Sequence, residues 1–470
     1  MKRYEELADT IAQSIREGVL RPGDRLPSVR QTSSSRGVSP STVFEAYYLL
    51  EARGMITARA RSGYFVSSGS LRLQPLPEPA SGMTDIPAEL DVSELVFEVL
   101  EATRARKGVP LGSAFPSPLL FPMARLGRSM ASTVQKMDPW RTVEDLGPGD
   151  IELRRQIALR YMIDGVQVPI EGIVITTGAL EALNLCLAAV TRPGDTVLIE
   201  CPTFYAALQS IERNGLKAVE VPSHPVTGID LDAMERAMQA YRPTAVWLMT
   251  NFQNPQGSLM PDAHKKRLVE LVTRYRIPLI EDDVYGELYF GEKRPTPAKA
   301  FDTEGWVMHC ASFSKCLAPG YRVGWAAPGR YAKQIERLKL TTSLATSIPA
   351  QQAVAAYLAK GGYDRHLRQL RHTLMLQQIQ YLEAIERHFP EGTRVSRPQG
   401  GYFFWVQLPE GANALELHRA ALGNGISLAP GPIFSAQRSY NDYIRLNYGH
   451  PWDDRVASAM MTLGRLITQR

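Results

Sequence analysis

The chain has 470 residues, 44% hydrophobic and 21% charged, a length that calls for about two to four domains. Its 53 Lys and Arg against 48 Asp and Glu leave a net charge of +5, too small to name a polyanionic partner by itself. No run approaches the ~20 consecutive apolar residues of a membrane span, and Met1-Lys2-Arg3-Tyr4-Glu5-Glu6 turns acidic where a secretory leader needs an apolar core, so the expected location is the cytoplasm, away from membranes. The four cysteines (Cys186, Cys201, Cys310, Cys316) form no Cys-x-x-Cys pair and have no histidine at ligand spacing. They read as reduced structural thiols, with no metal site expected.

In chain order, Leu7, Ile11 and Ile15 recur at helical spacing, and Gly18 with Arg21-Pro22-Gly23-Asp24 ends that helix. Pro27-Ser28 opens a second short segment and Gly37-Val38 is a turn. Ser39-Pro40 starts a third helix with a capping serine and a proline at the first helical position. Val43, Tyr47 and Leu50 share one face of it. Met55-Ile56-Thr57 and Tyr64-Phe65-Val66 are β-prone and flank Ala60-Arg61-Ser62-Gly63 as in a hairpin. Helix, helix, turn, helix, hairpin is the order of a winged helix-turn-helix, although any small α+β domain can produce it. Residues 1–68 hold ten Lys or Arg and seven Asp or Glu, a bias that permits a nucleic-acid partner without requiring one.

Residues 69–90 contain Pro75, Pro77, Pro79 and Pro87 and little apolar periodicity, which predicts a linker. Beyond it, Ile173-Val174-Ile175, Val197-Leu198-Ile199, Ala245-Val246-Trp247-Leu248-Met249 and Leu279-Ile280 read as buried strands. Helical stretches such as Leu180–Ala189 and His264–Tyr275 lie between them. The alternation predicts an α/β domain with a largely parallel sheet, whose ligand groups gather on loops beyond the strands' carboxyl ends.

Five such loops carry chemistry. Thr176-Thr177-Gly178-Ala179-Leu180 opens a helix and suits an anion, or is a plain turn. Phe204 in Cys201-Pro202-Thr203-Phe204-Tyr205 is either a core aromatic or a ring that stacks on a flat heterocycle. Asn254, before Pro255, is a turn residue or a donor to a ring oxygen. Glu281-Asp282-Asp283 is costly at a strand end unless exposed or paired. Ser312-Phe313-Ser314-Lys315, with Arg322 seven residues on, sets a lysine beside two hydroxyls and a guanidinium. That set suits a phosphate-bearing aldehyde, of which pyridoxal 5'-phosphate (PLP) is one.

From about Val109 onward the sequence resembles the fold-type I, class I/II aminotransferases, on Thr-Thr-Gly-Ala-Leu, Asn-Pro-Gln-Gly, Asp-Asp-Val-Tyr, Ser-Phe-Ser-Lys and Arg-Val-Gly in that order. The resemblance implies that Lys315 forms the Schiff base with PLP, that Asp282 pairs with the pyridine nitrogen, and that Tyr285 and Asn254 reach the 3-oxygen. It further implies that Phe204 stacks on the ring, that Ser312, Ser314, Arg322, Gly178 and Ala179 hold the phosphate, and that Arg445 clamps an amino acid's α-carboxylate. Residues 1–68 resemble a GntR-type winged helix-turn-helix, on Gly23-Asp24-Arg25-Leu26-Pro27-Ser28-Val29-Arg30, Gly37-Val38-Ser39-Pro40-Ser41-Thr42-Val43, Leu50-Glu51-Ala52-Arg53-Gly54 and Ser62-Gly63-Tyr64-Phe65-Val66. By that resemblance Arg30, Ser39, Ser41, Thr42 and Arg61 face double-stranded DNA. The two together resemble the MocR subfamily.

The expected architecture is therefore multidomain. A winged helix-turn-helix spans residues 1–68 and a linker 69–90. An aminotransferase-like body spans 91–470, with a mixed, largely parallel large domain at about 150–345 and a smaller α+β domain at about 346–470 plus the N-terminal part. The resemblance also implies a head-to-tail homodimer in which each head contacts the partner subunit's large domain. Two departures stand out. Pro40 and Phe44 occupy recognition-helix positions where many relatives carry arginine, and a tyrosine expected from the partner subunit toward the phosphate is replaced near Glu144. The expected function is a regulator that senses PLP, an amino acid or an amine. The alternative is a working aminotransferase with an accessory head.

Overall fold

The structure is a computed structural model and describes residues 3–17, 19–21, 23–52, 54–59, 63–66, 73–77, 90, 92–102, 108–144 and 147–469. The head is α1 (Arg3–Arg16), α2 (Val29–Arg36), α3 (Pro40–Ala52) and an antiparallel hairpin of β1 (Ile56–Arg59) and β2 (Gly63–Val66). Its core is Leu7, Ala8, Ile11 and Ala12 of α1 against Val43, Ala46, Tyr47 and Leu50 of α3, closed by Leu26, Ile56 and Val66. Ser28 caps α2 in a reciprocal pair with Gln31. Gly37, at φ 62°, takes the left-handed turn between α2 and α3 without steric cost. Buried Tyr47 donates its hydroxyl to the Pro27 carbonyl at 2.7 Å and meets Thr32 Oγ1 at 2.6 Å, tying α3 to the start of α2. The hairpin predicted from sequence forms, while Arg61 at its tip lies outside the described residues. Within the linker only residues 73–77 and 90 are described, and the Gln74 carbonyl accepts from the Val395 amide.

The body enters through α4 (Ser93–Ala102), β3 (Val109–Pro110), α5 (Met123–Lys136), α6 (Arg141–Glu144) and α7 (Ile151–Ile163). The main sheet then builds from β4 (Val174–Thr176), α8 (Ala179–Val190), β5 (Thr196–Cys201), α9 (Tyr205–Arg213), β6 (Lys217–His224), β7 (Gly228–Ile229), α10 (Leu231–Tyr241) and β8 (Ala245–Leu248). It continues with α11 (Asp262–Tyr275), β9 (Leu279–Asp282), β10 (Val307–Ser312) and β11 (Gly324–Ala327). Strand order is β4-β11-β10-β9-β8-β5-β6-β7. The pairs β10/β9, β9/β8, β8/β5 and β5/β6 are parallel, whereas β11 runs against both neighbours and β7 against β6. Helices cover both faces, so Val197-Leu198-Ile199 and Ala245-Val246-Trp247-Leu248 are buried throughout, which is why they read as continuous apolar runs.

The chain leaves the sheet through α12 (Ala332–Thr342), α13 (Ile348–Ala359) and the 27-residue α14 (Gly362–His388). A second layer follows: β12 (Arg394–Val395), β13 (Phe403–Gln407), α15 (Ala414–Gly423), β14 (Ile426–Ser427), β15 (Ala429–Pro430), β16 (Tyr443–Asn447) and α16 (Asp454–Thr468). It holds a four-stranded sheet, β12-β13-β16-β15, while β14 pairs in parallel with β3. Among the described residues no helix is long and apolar enough to cross a membrane. The four cysteines are buried free thiols.

The head rests on α14 of its own chain. Tyr48 of α3 stacks on His372 with ring centroids 4.6 Å apart and planes 17° from parallel. Its hydroxyl donates to the His372 carbonyl at 3.4 Å, and Thr57 Oγ1 donates to Glu383 Oε1 at 3.4 Å. Because the head has its own apolar core, it is expected to melt as a unit. Leu50→Ala, at a fully buried position, is expected to cost about 2–5 kcal/mol. Hydrogen exchange should then lose protection in residues 3–66 while the main sheet keeps its own.

Candidate functional site

Parallel strands share one carboxyl-terminal edge, and the loops beyond β5, β8, β9 and β10 converge there. Three consecutive acids at the end of β9 decide the electrostatics. Glu281 accepts from Thr250 Oγ1 at 2.6 Å and from the amides of Ala298 and Lys299 at 2.6 and 2.9 Å. Asp283 accepts from Arg294 at 2.5 Å, His309 Nε2 at 3.1 Å and Asn251 Nδ2 at 2.9 Å. Trp325 Nε1 donates to the Tyr161 hydroxyl at 2.9 Å, and that hydroxyl lies 2.7 Å from His309 Nδ1. Against the burial that raises it, Arg294 and then His309 hold the Asp283 carboxyl below the usual carboxylate range.

Asp282, between these two, is different. Its Oδ1 is buried without a hydrogen-bond partner. Burial pushes its carboxyl up to about 7; Asp283 and Glu281 add to the rise, and the Val284 amide and Lys315 oppose it. A buried carboxylate oxygen with no partner is costly in a protein interior, and it marks a place for a donor the chain does not supply.

Lys315, half-buried on the loop after β10, faces this acid. Its amine donates to the Ala114 carbonyl at 2.8 Å and lies 3.4 Å from the centroid of the Phe115 ring. Burial and then the positive charge of Arg445 drive its pKa down to about 7, with Arg322 adding to the fall and Asp282 opposing it. An amine so tuned is a nucleophile at neutral pH.

Beside it, Arg322 Nη1 donates to Ser314 Oγ at 3.2 Å, and the Ser314 amide donates to Ser312 Oγ at 3.3 Å. Gly178, at φ 79°, precedes α8, whose first residue is Ala179. A Cβ on Gly178 would run into the Arg322 guanidinium, and one on Gly324 would fall 2.5 Å from the Gly178 carbonyl carbon. Two hydroxyls, a guanidinium and a helix N-terminus at this close approach form a cradle for a phosphate.

Tyr285 and Asn254 meet across 3.3 Å, with the amide Nδ2 donating to the phenol. Asn254 Oδ1 accepts from Arg445 Nη1 at 2.8 Å, and Arg445 Nη2 donates to the Gly112 carbonyl at 2.7 Å. Arg445, fully buried on β16, lies 4.2 Å from the Phe403 ring centroid, and its Nε has no partner. Phe204 is the half-buried residue preceding α9, its ring 4.6 Å from that of Tyr205. The structure thus gathers Lys315, Asp282, Tyr285, Asn254, Arg445, Arg322, Ser312, Ser314 and Gly178 around one space. An orphaned carboxylate, a low-pKa amine and a phosphate cradle together fit PLP.

Arg30, Ser39, Ser41 and Thr42 stand apart, on the head. Arg30 is exposed on α2. Ser39 Oγ accepts from the Thr42 amide at 3.2 Å and lies 2.8 Å from both Ser41 Oγ and Thr42 Oγ1. Sequence reasoning missed the strap Gly112-Ser113-Ala114-Phe115, which covers both Lys315 and Arg445, and the Arg294–His309–Tyr161–Trp325 support of Asp283. The strap carries no motif, and its partners lie some two to three hundred residues away.

Residues 141–457 match the family of class I and II aminotransferases, and residues 3–66 match the gntR family of bacterial regulatory proteins. An uncharacterized HTH-type transcriptional regulator of Escherichia coli strain K12, YdcR, is 45% identical over 470 residues, covering all of both chains. The crystal structure of LysN, the α-aminoadipate aminotransferase of Thermus thermophilus, complexed with N-(5'-phosphopyridoxyl)-L-leucine, is 30% identical with a TM-score of 0.72. It covers 81% of this chain and 99% of its own. Pyrococcus horikoshii kynurenine aminotransferase, solved with PMP, is 28% identical with a TM-score of 0.74 over 81% of this chain and 95% of its own.

The tuning of Lys315 is directly measurable. Its reductive alkylation by a small aldehyde should reach half its limiting rate near pH 7, whereas unperturbed lysines continue to gain reactivity toward pH 10. Site-resolved mass spectrometry across that range checks it.

Proposed function

The chain belongs to the class I and II aminotransferase family and carries a gntR-type regulatory head, and from that premise we propose that it is a DNA-binding transcriptional regulator. Its body holds PLP at Lys315 and reports an amino acid or amine to the head. PLP, when bound, supplies a phosphorylated aldehyde that an amine can capture and a ring that withdraws electrons.

The chain's own residues do the rest. Lys315, its proton held weakly, is the group that captures the aldehyde. Asp282 holds a proton at the ring nitrogen, which gives its orphaned Oδ1 the donor it lacks. Tyr285 and Asn254 hold the 3-oxygen, and Phe204 covers the ring. Ser312, Ser314, Arg322 and the start of α8 hold the phosphate. Arg445 exchanges the Gly112 carbonyl for the effector's carboxylate, a stronger, charge-assisted partner.

The observation that carries this reading is α14, which touches both ends of the device. His366 on α14 lies 2.8 Å from the carbonyl of Cys316, the residue after Lys315. Less than two turns later His372 lies under Tyr48 of the head. Tyr48 shares a face of α3 with Ser41, so the contact holds the helix that would meet DNA. A ligand shifts this arrangement only by its different affinity for docked and released heads. A head-to-tail homodimer is the finer form of the proposal.

A working aminotransferase is the second reading, favoured by the intact set of Lys315, Asp282 and Arg445, which suffices for proton transfer at an amino acid's α-carbon. Lys315→Ala should abolish the absorbance change on PLP addition, leave the fold intact and make DNA affinity insensitive to every effector that modulates the wild type. Repeated turnover by the wild type across an amino-acid panel, with no effect of those amino acids on DNA binding, would instead establish the enzyme. His372→Ala should leave PLP capture unchanged and reduce the effector-driven change in DNA affinity several-fold. An unaltered effector response in that variant removes α14 from the proposal.

A further inference from the structure

One face of α3 is not used by the head's own fold. At about 100° per residue, Ser41, Phe44, Glu45 and Tyr48 share the side opposite Val43, Ala46, Tyr47 and Leu50, all four of which are buried. Tyr48 is occupied by His372. Phe44, one turn earlier, is 55% exposed, and among the described residues no ring packs on it.

The chemistry around Phe44 limits its occupant. Glu45 beside it repels anions, and the first turn of α3 holds no lysine or arginine, so this patch does not suit phosphate. Groups that do suit phosphate are present on the same head: the Ser39, Ser41 and Thr42 hydroxyl cluster at the N-terminus of α3, within about one turn of Phe44, and Arg30, exposed on α2. An exposed apolar ring just beyond a hydroxyl cluster suited to phosphate, in the first half of the second helix of a helix-turn-helix, matches the floor of a major groove. There the one apolar feature of a base edge is the C5 methyl of thymine, and a carboxylate beside it matches the amino group of cytosine.

Resting on the DNA-binding reading above, we infer that Phe44 is a specificity-determining residue that reads thymine by contact with its 5-methyl group. An arginine at this position would seek guanine, whereas a phenyl ring has no hydrogen bond to offer a base edge. The contact is apolar, and its contribution is insensitive to salt, unlike the contribution of Arg30.

The test uses the full-length protein. Duplexes are selected from a random pool, and each thymine of the enriched sequence is then replaced singly by deoxyuridine, which pairs identically and lacks only the methyl. At one thymine of a half-site the replacement should weaken wild-type binding about fourfold, the value of one buried methylene-sized group. Phe44→Ala should bind both duplexes alike, while Phe44→Leu keeps part of the preference; circular dichroism of each variant checks the fold. Successful selection with every uracil replacement silent overturns the inference and leaves DNA binding standing, whereas no enrichment at all overturns both. A Phe44→Ala protein that still discriminates uracil but changes its oligomeric state assigns the ring to a protein contact, and overturns the inference as well.

Discussion

The site depends on how three adjacent acids are buried at the end of one strand. Ionised carboxylates are costly in a protein interior unless each is hydrogen-bonded or paired. Glu281 and Asp283 are paired by the chain itself, through Thr250 and two amides on one side and through Arg294, His309 and Asn251 on the other. Asp282 is left incomplete at Oδ1, and burial first, then its two acidic neighbours, raise its pKa. The support of Asp283 reaches Tyr161 and Trp325 on separate elements and Lys265, whose buried amine donates to Asn251 Oδ1 at 2.6 Å. Such a network is rigid because each member fixes the hydrogen-bonding direction of the next. Rigidity there is what keeps Asp282 and Lys315 facing one another.

The same edge of the sheet is closed from outside by backbone rather than by side chains. Carbonyls of Gly112 and Ala114 engage Arg445 and Lys315, and Tyr402 and Asn447 donate to the same strap. The two cations most suited to an amino acid's carboxylate and to an aldehyde thus have neutral partners that a charged or covalent ligand can outcompete. The strap meets the Lys315 amine, and α14 meets the carbonyl of the residue after it.

Much of this was legible in the sequence, and for a physical reason. Loops after parallel strands share one edge whatever the strand order, so Gly178, Phe204, Asn254, Asp282 and Lys315 could be assigned to one region before any pairing was known. Strands buried on both faces announced themselves as apolar runs, Ser39 announced a helix start by its capping chemistry, and Pro27-Ser28 and Gly37-Val38 marked a segment start and a turn. What remained illegible was the choice of partner across long separations. Nothing near Glu281-Asp282-Asp283 says that Arg294 takes the third acid and leaves the second open. Nothing near Ala114 says that its carbonyl meets a lysine 201 residues later. The seating of Tyr48 on His372 joins residues 324 apart, and no local pattern encodes it.

Helix α14 runs unbroken for 27 residues, with His366 and His372 six positions apart on it. Six residues are ~9 Å of rise and place the two rings on different sides of the helix. Substitutions between them leave that geometry alone, but inserting or deleting one residue turns everything beyond it by about 100° and carries His372 out from under Tyr48. The spacing is therefore under a stricter constraint than the identities of the residues that fill it. Related chains that keep both contacts are expected to vary in composition along this stretch and not in length.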